Sequence, residues 1–197
     1  KLKDLKEKLT FIRNTLVDEH KSLFIDDLDD LIDKVNIFGY HFATLDIRQD
    51  SRIHSKVFYE IFKKALKNKF PKDYAKLKES QKIKVLDKIQ NIELSGDDFN
   101  DTIVKNTIES IIAMKTIQNS NGEKACHRYI ISNNQTALNV MQLFTMLKLV
   151  AFKDELTVDL VPLFETITDL ENAPCVMEEL YTNPAYKAHL DTRNGKQ

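Results

Sequence analysis

Several residue types are scarce in this sequence of 197 residues, which holds two cysteines, four glycines, four prolines and no tryptophan. Cys126 and Cys175 provide neither a zinc-binding spacing nor a disulfide framework, so we interpret them as buried small hydrophobic residues in a reducing compartment. An excess of charge of either sign is also missing, since 29 basic and 30 acidic residues give a net charge of −1. Proteins that bind nucleic acid or anionic membranes usually carry a clear excess of basic residues. The sequence therefore predicts neither as a main partner.

Long apolar runs are absent as well. The longest ones, around residues 147–152 and 160–164, have the length of core segments and are too short to span a membrane. Hydrophobic residues make up 42% of the sequence and charged residues 30%, which is typical of a helix-rich globular chain with one domain-sized core. We therefore expect a soluble cytoplasmic protein.

Three stretches predict a strand that leads directly into a helix. In the first, alternation over residues 41–47 places Phe42 and Asp46 on one face, and the polarity changes at residues 48–51. Helical spacing follows this change and continues toward Lys67. The other two strands are predicted at 125–132 and 157–163, and the helices after them at about 136–150 and 168–180. Strands that alternate with helices predict parallel βαβ units and a helix-rich α/β fold.

The remaining sequence predicts helices. Five aspartates within residues 26–33 could form a calcium loop, but that loop needs glycine and glutamate at the positions of Leu31 and Ile37. We therefore interpret this stretch as an acidic amphipathic helix that Gly39 ends. A longer helix with a buried apolar stripe is expected before Gly122. The predicted divisions are leading helices at 1–38, a first strand–helix unit at 39–66, a helical insertion at 67–122 and two further units at 123–197.

Both ends of the sequence favour the hypothesis of an excised piece. The first helix begins at Lys1 without a capping residue. Near the other end, Asn194 and Gly195 form a tight-turn signal of the kind that leads into a strand. We therefore expect these residues to belong to a longer protein.

Two motifs connect the sequence to a known family. Residues 45–51 read LDIRQDS, with His54 three residues on, and residues 161–166 read VPLFET, followed by Asp169. A third block, YIIS at 129–132, lies between them. In order and spacing these blocks resemble phosphoenolpyruvate carboxylases, and the resemblance extends from about residue 37 to residue 197.

The resemblance implies a fold and a reaction. The family is built on a (β/α)8 barrel of the TIM type with additional helices, so the chain would form about three strand–helix units of a partial barrel. The implied parent enzyme is a homotetrameric carboxy-lyase that converts phosphoenolpyruvate and bicarbonate to oxaloacetate and phosphate, through carboxyphosphate and the enolate of pyruvate, with Mg²⁺ or Mn²⁺. The isolated chain would be inactive, because the family's catalytic histidine, second metal-binding carboxylate and glycine- and arginine-rich loops fall outside it.

The candidate site residues stand at the predicted carboxyl ends of strands, where such barrels carry out their chemistry. By resemblance, Arg48 is catalytic and binds the phosphate of phosphoenolpyruvate, a task that suits a permanently charged guanidinium. Without the resemblance, Arg48 could equally pair with Asp46 or Asp50. By resemblance, Glu165 is a ligand of the divalent metal, whereas in another setting it would cap a helix or face solvent.

Other polar residues are not assigned a catalytic role. Ser132, Asn133 and Asn134 could contact a ligand or cap the next helix. His54 belongs to the first motif, but we expect it to orient the start of a helix and not to transfer a proton. Two further hypotheses stay open: a non-catalytic α/β interaction module derived from such a barrel, and a different metal-dependent enolate enzyme.

Overall fold

The computed structural model describes residues 2–41, 43–66, 71, 73–87, 89, 94–153 and 155–195. The helices are α1 (Leu2–Glu19), α2 (Ile25–Phe38), α3 (Ser51–Ile61), α4 (Glu79–Leu86), α5 (Thr102–Asn121), α6 (Ala137–Leu147), α7 (Ile167–Thr182) and α8 (Pro184–Thr192). The strands are β1 (Asp46–Asp50), β2 (Arg128–Ser132) and β3 (Asp159–Pro162). Single π-helical turns, Phe62–Leu66 and Lys148–Phe152, extend α3 and α6, and short 3-10 turns occur at Tyr74–Lys76, Gly96–Asp98 and Glu123–Ala125.

The three strands form one parallel sheet in the order β1-β2-β3. Arg48 is aligned with Ile130, and Ile130 with Val161, so the carboxyl ends of the strands meet at the same edge. Helices connect each strand to the next, as parallel pairing requires. The predicted parallel βαβ units and the helix-rich α/β class are therefore confirmed, whereas closure into a (β/α)8 barrel stays a prediction.

The core lies between one face of the sheet and the helices. Tyr129, Ile131 and Leu160 are buried on this face, whereas Arg128, on the opposite face, is exposed. Helix α6 is the most deeply buried helix that the structure describes: ten of its eleven residues are buried, and it contacts α3, α4 and α7. A helix that is covered on nearly every side needs no polar face, which explains why α6 is apolar except at Asn139, Gln142 and Thr145.

A buried amide connects α5 to the sheet. Gln118 Nε2 donates to the backbone oxygens of Cys126, at 2.8 Å, and Thr157, at 2.9 Å. Gln118 Oε1 accepts from the hydroxyl of Thr157 at 2.5 Å. Helix α5 begins after Asp101, whose side chain accepts two backbone N–H groups, and it ends at Gly122 as predicted. The longest helix is thus fixed against the segments that enter β2 and β3.

The first strand is displaced from its predicted position. β1 starts at Asp46, so residues 43–45 are not in a strand, and Arg48 lies in the middle of β1 instead of beyond its end. Pairing decides the position: the β1–β2 ladder begins where Asp46 is aligned with Arg128, and one backbone hydrogen bond, from the Leu45 N–H to the Ala125 carbonyl, precedes it. Phe42 and Lys67, which the prediction placed in this strand and its helix, lie outside the described residues.

The other predictions for local structure differ less from the structure. The second and third strands are shorter than predicted but lie within the predicted ranges. The acidic stretch is helix α2, and Gly39, with a φ of 57°, ends it as interpreted. Cys126 is buried as predicted, but Cys175 is exposed. That part of the prediction is wrong because Val176 and Leu180, not Cys175, occupy the buried side of α7.

Candidate active site at the carboxyl edge of the sheet

The segments that follow the three strands meet at the carboxyl edge of the sheet, because all three strands run in the same direction. Ser51 begins α3 directly after β1, Asn133 follows β2, and Glu165 lies between β3 and α7. Arg48 stands two residues before the end of β1. Its neighbour Ile47 packs against the core, so alternation along the strand turns Arg48 to the opposite face.

Arg48 and Glu165 form an ion pair across this edge. The distance from Arg48 Nη2 to Glu165 Oε1 is 2.9 Å, and the two side chains are 58% and 40% exposed. Both residues predicted for the site are therefore brought together. The alternative partners of Arg48 are excluded, since Asp46 pairs with Arg128 at 2.9 Å and Asp50 pairs with Arg52 at 2.7 Å.

The second oxygen of Glu165 accepts a backbone hydrogen bond. The N–H of Asn133 donates to Glu165 Oε2 at 2.8 Å, and the carbonyl of Asn133 accepts from Ser51 Oγ at 2.6 Å. The sequence motif contains Ser51, but the sequence alone predicts no role for Ser51 and does not assign one to Asn133. A pair of asparagines directly after a strand was the available signal, because asparagine tolerates the left-handed backbone conformation found at Asn133.

The helices that start at this edge are capped by other residues. Asp50 Oδ1 accepts the N–H of Arg52, which caps α3, and the Arg52 side chain lowers the pKa of the Asp50 carboxyl by hydrogen bonding to it. Asn139 Oδ1 accepts the N–H of Thr136 at the start of α6. The possibility that Asn133 and Asn134 cap α6 is therefore not supported.

His54 lies below the site, on the buried side of α3. It has no exposed surface, and its Nε2 is 3.3 Å from the hydroxyl of Tyr129. Burial lowers the pKa of His54 from 6.5 to about 4, so the imidazole is neutral at neutral pH. This environment favours the structural role expected for His54.

The fit of this edge to a divalent metal is partial. Among the described residues, no group of three or more histidine, cysteine, aspartate or glutamate side chains is placed to hold a metal ion. Glu165 accepts one hydrogen bond on each oxygen, so lone pairs remain on both. A hard cation such as Mg²⁺ uses one or two protein carboxylates together with water and substrate oxygens. The described residues thus offer Glu165 as one ligand and do not form a complete metal site.

A parallel sheet with an arginine and a carboxylate at its carboxyl edge defines an α/β protein whose polar site lies where such sheets bind ligands. The family model for phosphoenolpyruvate carboxylase matches residues 1–197. The chain belongs to the phosphoenolpyruvate carboxylase family.

Curated relatives agree with this assignment. The chain is 31% identical to the phosphoenolpyruvate carboxylase of Parasynechococcus marenigrum over 187 residues, which cover 91% of this chain and 18% of the relative. It is 31% identical to the enzyme of the same name from Gloeobacter violaceus, with 86% of this chain and 19% of the relative covered. The chain therefore spans about a fifth of the length of these relatives.

Within the described ranges, no helix combines the length and apolar character that crossing a membrane requires.

Proposed function

We propose that these residues are part of the catalytic domain of a phosphoenolpyruvate carboxylase, which combines phosphoenolpyruvate and bicarbonate to give oxaloacetate and phosphate. The observation that carries the proposal is the Arg48–Glu165 pair at the carboxyl edge of a parallel sheet, in a chain of this family. The complete enzyme would have a (β/α)8 barrel, work in the cytoplasm and form a homotetramer. Its cofactor would be Mg²⁺ or Mn²⁺.

Arg48 would bind the phosphate of phosphoenolpyruvate. Only its Nη2 donates to another described residue, which leaves the other N–H groups of the guanidinium for phosphate oxygens. A bicarbonate oxygen attacks the phosphorus, and the bond from phosphorus to the enol oxygen breaks. Carboxyphosphate and the enolate of pyruvate result. The positive charge of Arg48 stabilises the charge that develops on the phosphoryl oxygens during this transfer.

The second half of the reaction forms a carbon–carbon bond. Carboxyphosphate breaks at its carbon–oxygen bond into CO2 and phosphate, and the methylene carbon of the enolate attacks CO2 to give oxaloacetate. Glu165 would hold the divalent metal, with the other ligands coming from substrate, water and residues outside those described. Such an ion, when bound, supplies positive charge for the enolate oxygen. Arg48, held beside Glu165, keeps the phosphate next to this position.

Substitution of Arg48 tests the proposal. In the complete polypeptide that carries these residues, Arg48→Ala should lower kcat/KM for phosphoenolpyruvate by about 100- to 1,000-fold. Losing one hydrogen-bond donor to the charge that develops in the transition state typically has an effect of this size. Oxaloacetate formation is the readout. Arg52→Ala is the matched control, because Arg52 is a nearby arginine whose side chain is 79% exposed and contacts Asp50, not Glu165. The control should stay within about threefold of the wild type, as surface substitutions do.

Glu165→Gln tests the other half of the pair. The substitution keeps the size and one acceptor oxygen of the side chain but removes the charge that a divalent metal requires. We expect a higher Mn²⁺ concentration at half-maximal activity. Wild-type kcat/KM in Arg48→Ala, or an unchanged Mn²⁺ requirement in Glu165→Gln, would refute the corresponding role.

A further inference from the structure

Three polar contacts join the carboxyl ends of all three strands. Ser51 Oγ donates to the Asn133 carbonyl at 2.6 Å, and the Asn133 N–H donates to Glu165 Oε2 at 2.8 Å. Glu165 Oε1 then accepts from Arg48 Nη2 at 2.9 Å. Since Arg48 and Ser51 are three residues apart in the same segment, these contacts form a closed ring around the edge of the sheet.

The ring is buried on one side and exposed on the other. Ser51 is 3% exposed, whereas the side chains of Arg48 and Glu165 are 58% and 40% exposed. Water and salt compete with an exposed ion pair and weaken it. Water and salt ions do not reach the buried hydroxyl of Ser51. The contact from Ser51 to the Asn133 carbonyl is therefore shielded from solvent, and it holds the loop whose N–H donates to Glu165.

The backbone of Asn133 has an unusual conformation that serves this contact. Its φ is 53°, in the left-handed region, which asparagine tolerates better than most residues. The next N–H, from Asn134, donates to the Leu163 carbonyl at 3.1 Å. Two consecutive N–H groups of the loop after β2 thus contact the segment from Leu163 to Glu165.

We propose that Ser51 is a positioning residue that acts on Glu165 through the backbone of Asn133, whose φ relates the two adjoining peptide groups. The hydroxyl of Ser51 fixes the Asn133 carbonyl, and the N–H of Asn133 orients the Glu165 carboxylate for a divalent cation. This inference rests on the proposed function, because it takes Glu165 as the metal ligand. It adds two positions, Ser51 and Asn133, that act on the metal ligand through hydrogen bonds.

The test compares variants that break the ring with variants that spare it. The complete polypeptide is prepared as Ser51→Ala, which removes the hydroxyl, and as Asn133→Val, which disfavours a positive φ. Asn133→Gly is the control for the backbone, because glycine adopts this conformation and keeps both peptide groups. Ser55→Ala is the control for the hydroxyl: Ser55, four residues further along α3, donates to Gln142 Oε1 at 2.8 Å and has no link to Glu165.

The readout is the Kd of Mn²⁺, measured from the electron paramagnetic resonance signal of free Mn²⁺, together with kcat and KM. Thermal unfolding identifies variants that do not fold. Groups that orient a metal ligand typically change metal affinity by 10- to 100-fold, so we expect Ser51→Ala and Asn133→Val to raise the Kd about tenfold. Asn133→Gly and Ser55→Ala should stay within about twofold of the wild type.

Three outcomes would count against the proposal. Wild-type Mn²⁺ affinity in Ser51→Ala overturns it, and so does an equal loss in Ser55→Ala, which would indicate general loosening of α3. If Ser51→Ala does not fold, equal affinity in Asn133→Val and Asn133→Gly overturns it. A wild type that neither binds Mn²⁺ nor forms oxaloacetate refutes the proposed function itself. An active wild type with an unaffected Ser51→Ala refutes only the role of Ser51.

Discussion

At the scale of single residues, His54 is a titratable group in the interior of the protein. It lies one helical turn after Ser51, is fully buried and contacts the Tyr129 hydroxyl. Its pKa falls to about 4 because burial disfavours the charged imidazolium. In the unfolded chain the imidazole regains an ordinary pKa of about 6.5. As the pH falls below 6.5, the unfolded state therefore binds a proton before the folded state does, and stability decreases.

We predict that His54 makes folding sensitive to acid between pH 6.5 and pH 4. Between pH 7.5 and pH 5, the wild type should lose about 2 kcal/mol more unfolding free energy than His54→Phe, which has no titrating group at this position. Urea denaturation at both pH values measures this difference, and other titrating groups cancel because the two proteins share them. Equal losses in the two proteins would contradict the low pKa of His54.

The site residues differ in how well the sequence predicts them. Arg48 and Glu165 belong to motifs, and the parallel arrangement of strands brings them together across 117 positions. Ser51 stands in the same motif as Arg48, but its partner is a carbonyl, which every residue has. The donor from Asn133 is likewise a backbone group. Sequence patterns report side chains, so a contact made by the main chain is visible only once the loop conformation is known.

At the scale of elements, helices are predicted better than strands. The capping residue Asp101 and the terminal Gly122 are local signals, and α5 lies between them. Strand β1 depends instead on β2, which is distant in sequence. Apolar alternation before Asp46 favoured an earlier strand, but the paired residues are Asp46–Asp50. Arg48 is polar because it lies on the exposed face of the sheet, so the change of polarity at this residue does not mark the end of the strand.

We predict that Gln118→Leu destabilises the connection between α5 and the strands. The substitution leaves the carbonyls of Cys126 and Thr157 without their amide donor in a mostly buried position. Each unsatisfied buried group costs about 1–3 kcal/mol, so the unfolding free energy should fall by about 2–4 kcal/mol. Chemical denaturation measures the change.

Gln135→Leu is the control for this prediction, because Gln135 is an exposed glutamine in the loop after β2. The control should change the unfolding free energy by no more than about 0.5 kcal/mol. Similar losses in both variants would show that the amide of Gln118 has no special structural importance.

At the scale of the whole molecule, the proposed reaction needs more residues than the structure describes. It spans about a fifth of the length of its curated relatives. Under the proposed function Arg48 would hold phosphate and Glu165 would be one metal ligand, and the described residues contain no cluster of three metal-binding side chains. We therefore predict that residues 1–197 alone form no oxaloacetate, whereas the complete polypeptide does. Turnover by the 197 residues alone would show that they carry a complete site.

The most direct test of the account uses bicarbonate labelled with ¹⁸O. If a bicarbonate oxygen attacks the phosphorus, one labelled oxygen must remain on phosphate when carboxyphosphate breaks at its carbon–oxygen bond. Mass spectrometry of the products from the complete polypeptide should show phosphate with one ¹⁸O for each oxaloacetate formed, and Arg48→Ala should slow both products equally. Oxaloacetate released with unlabelled phosphate would contradict the proposed mechanism, and no oxaloacetate at all would contradict the proposed function.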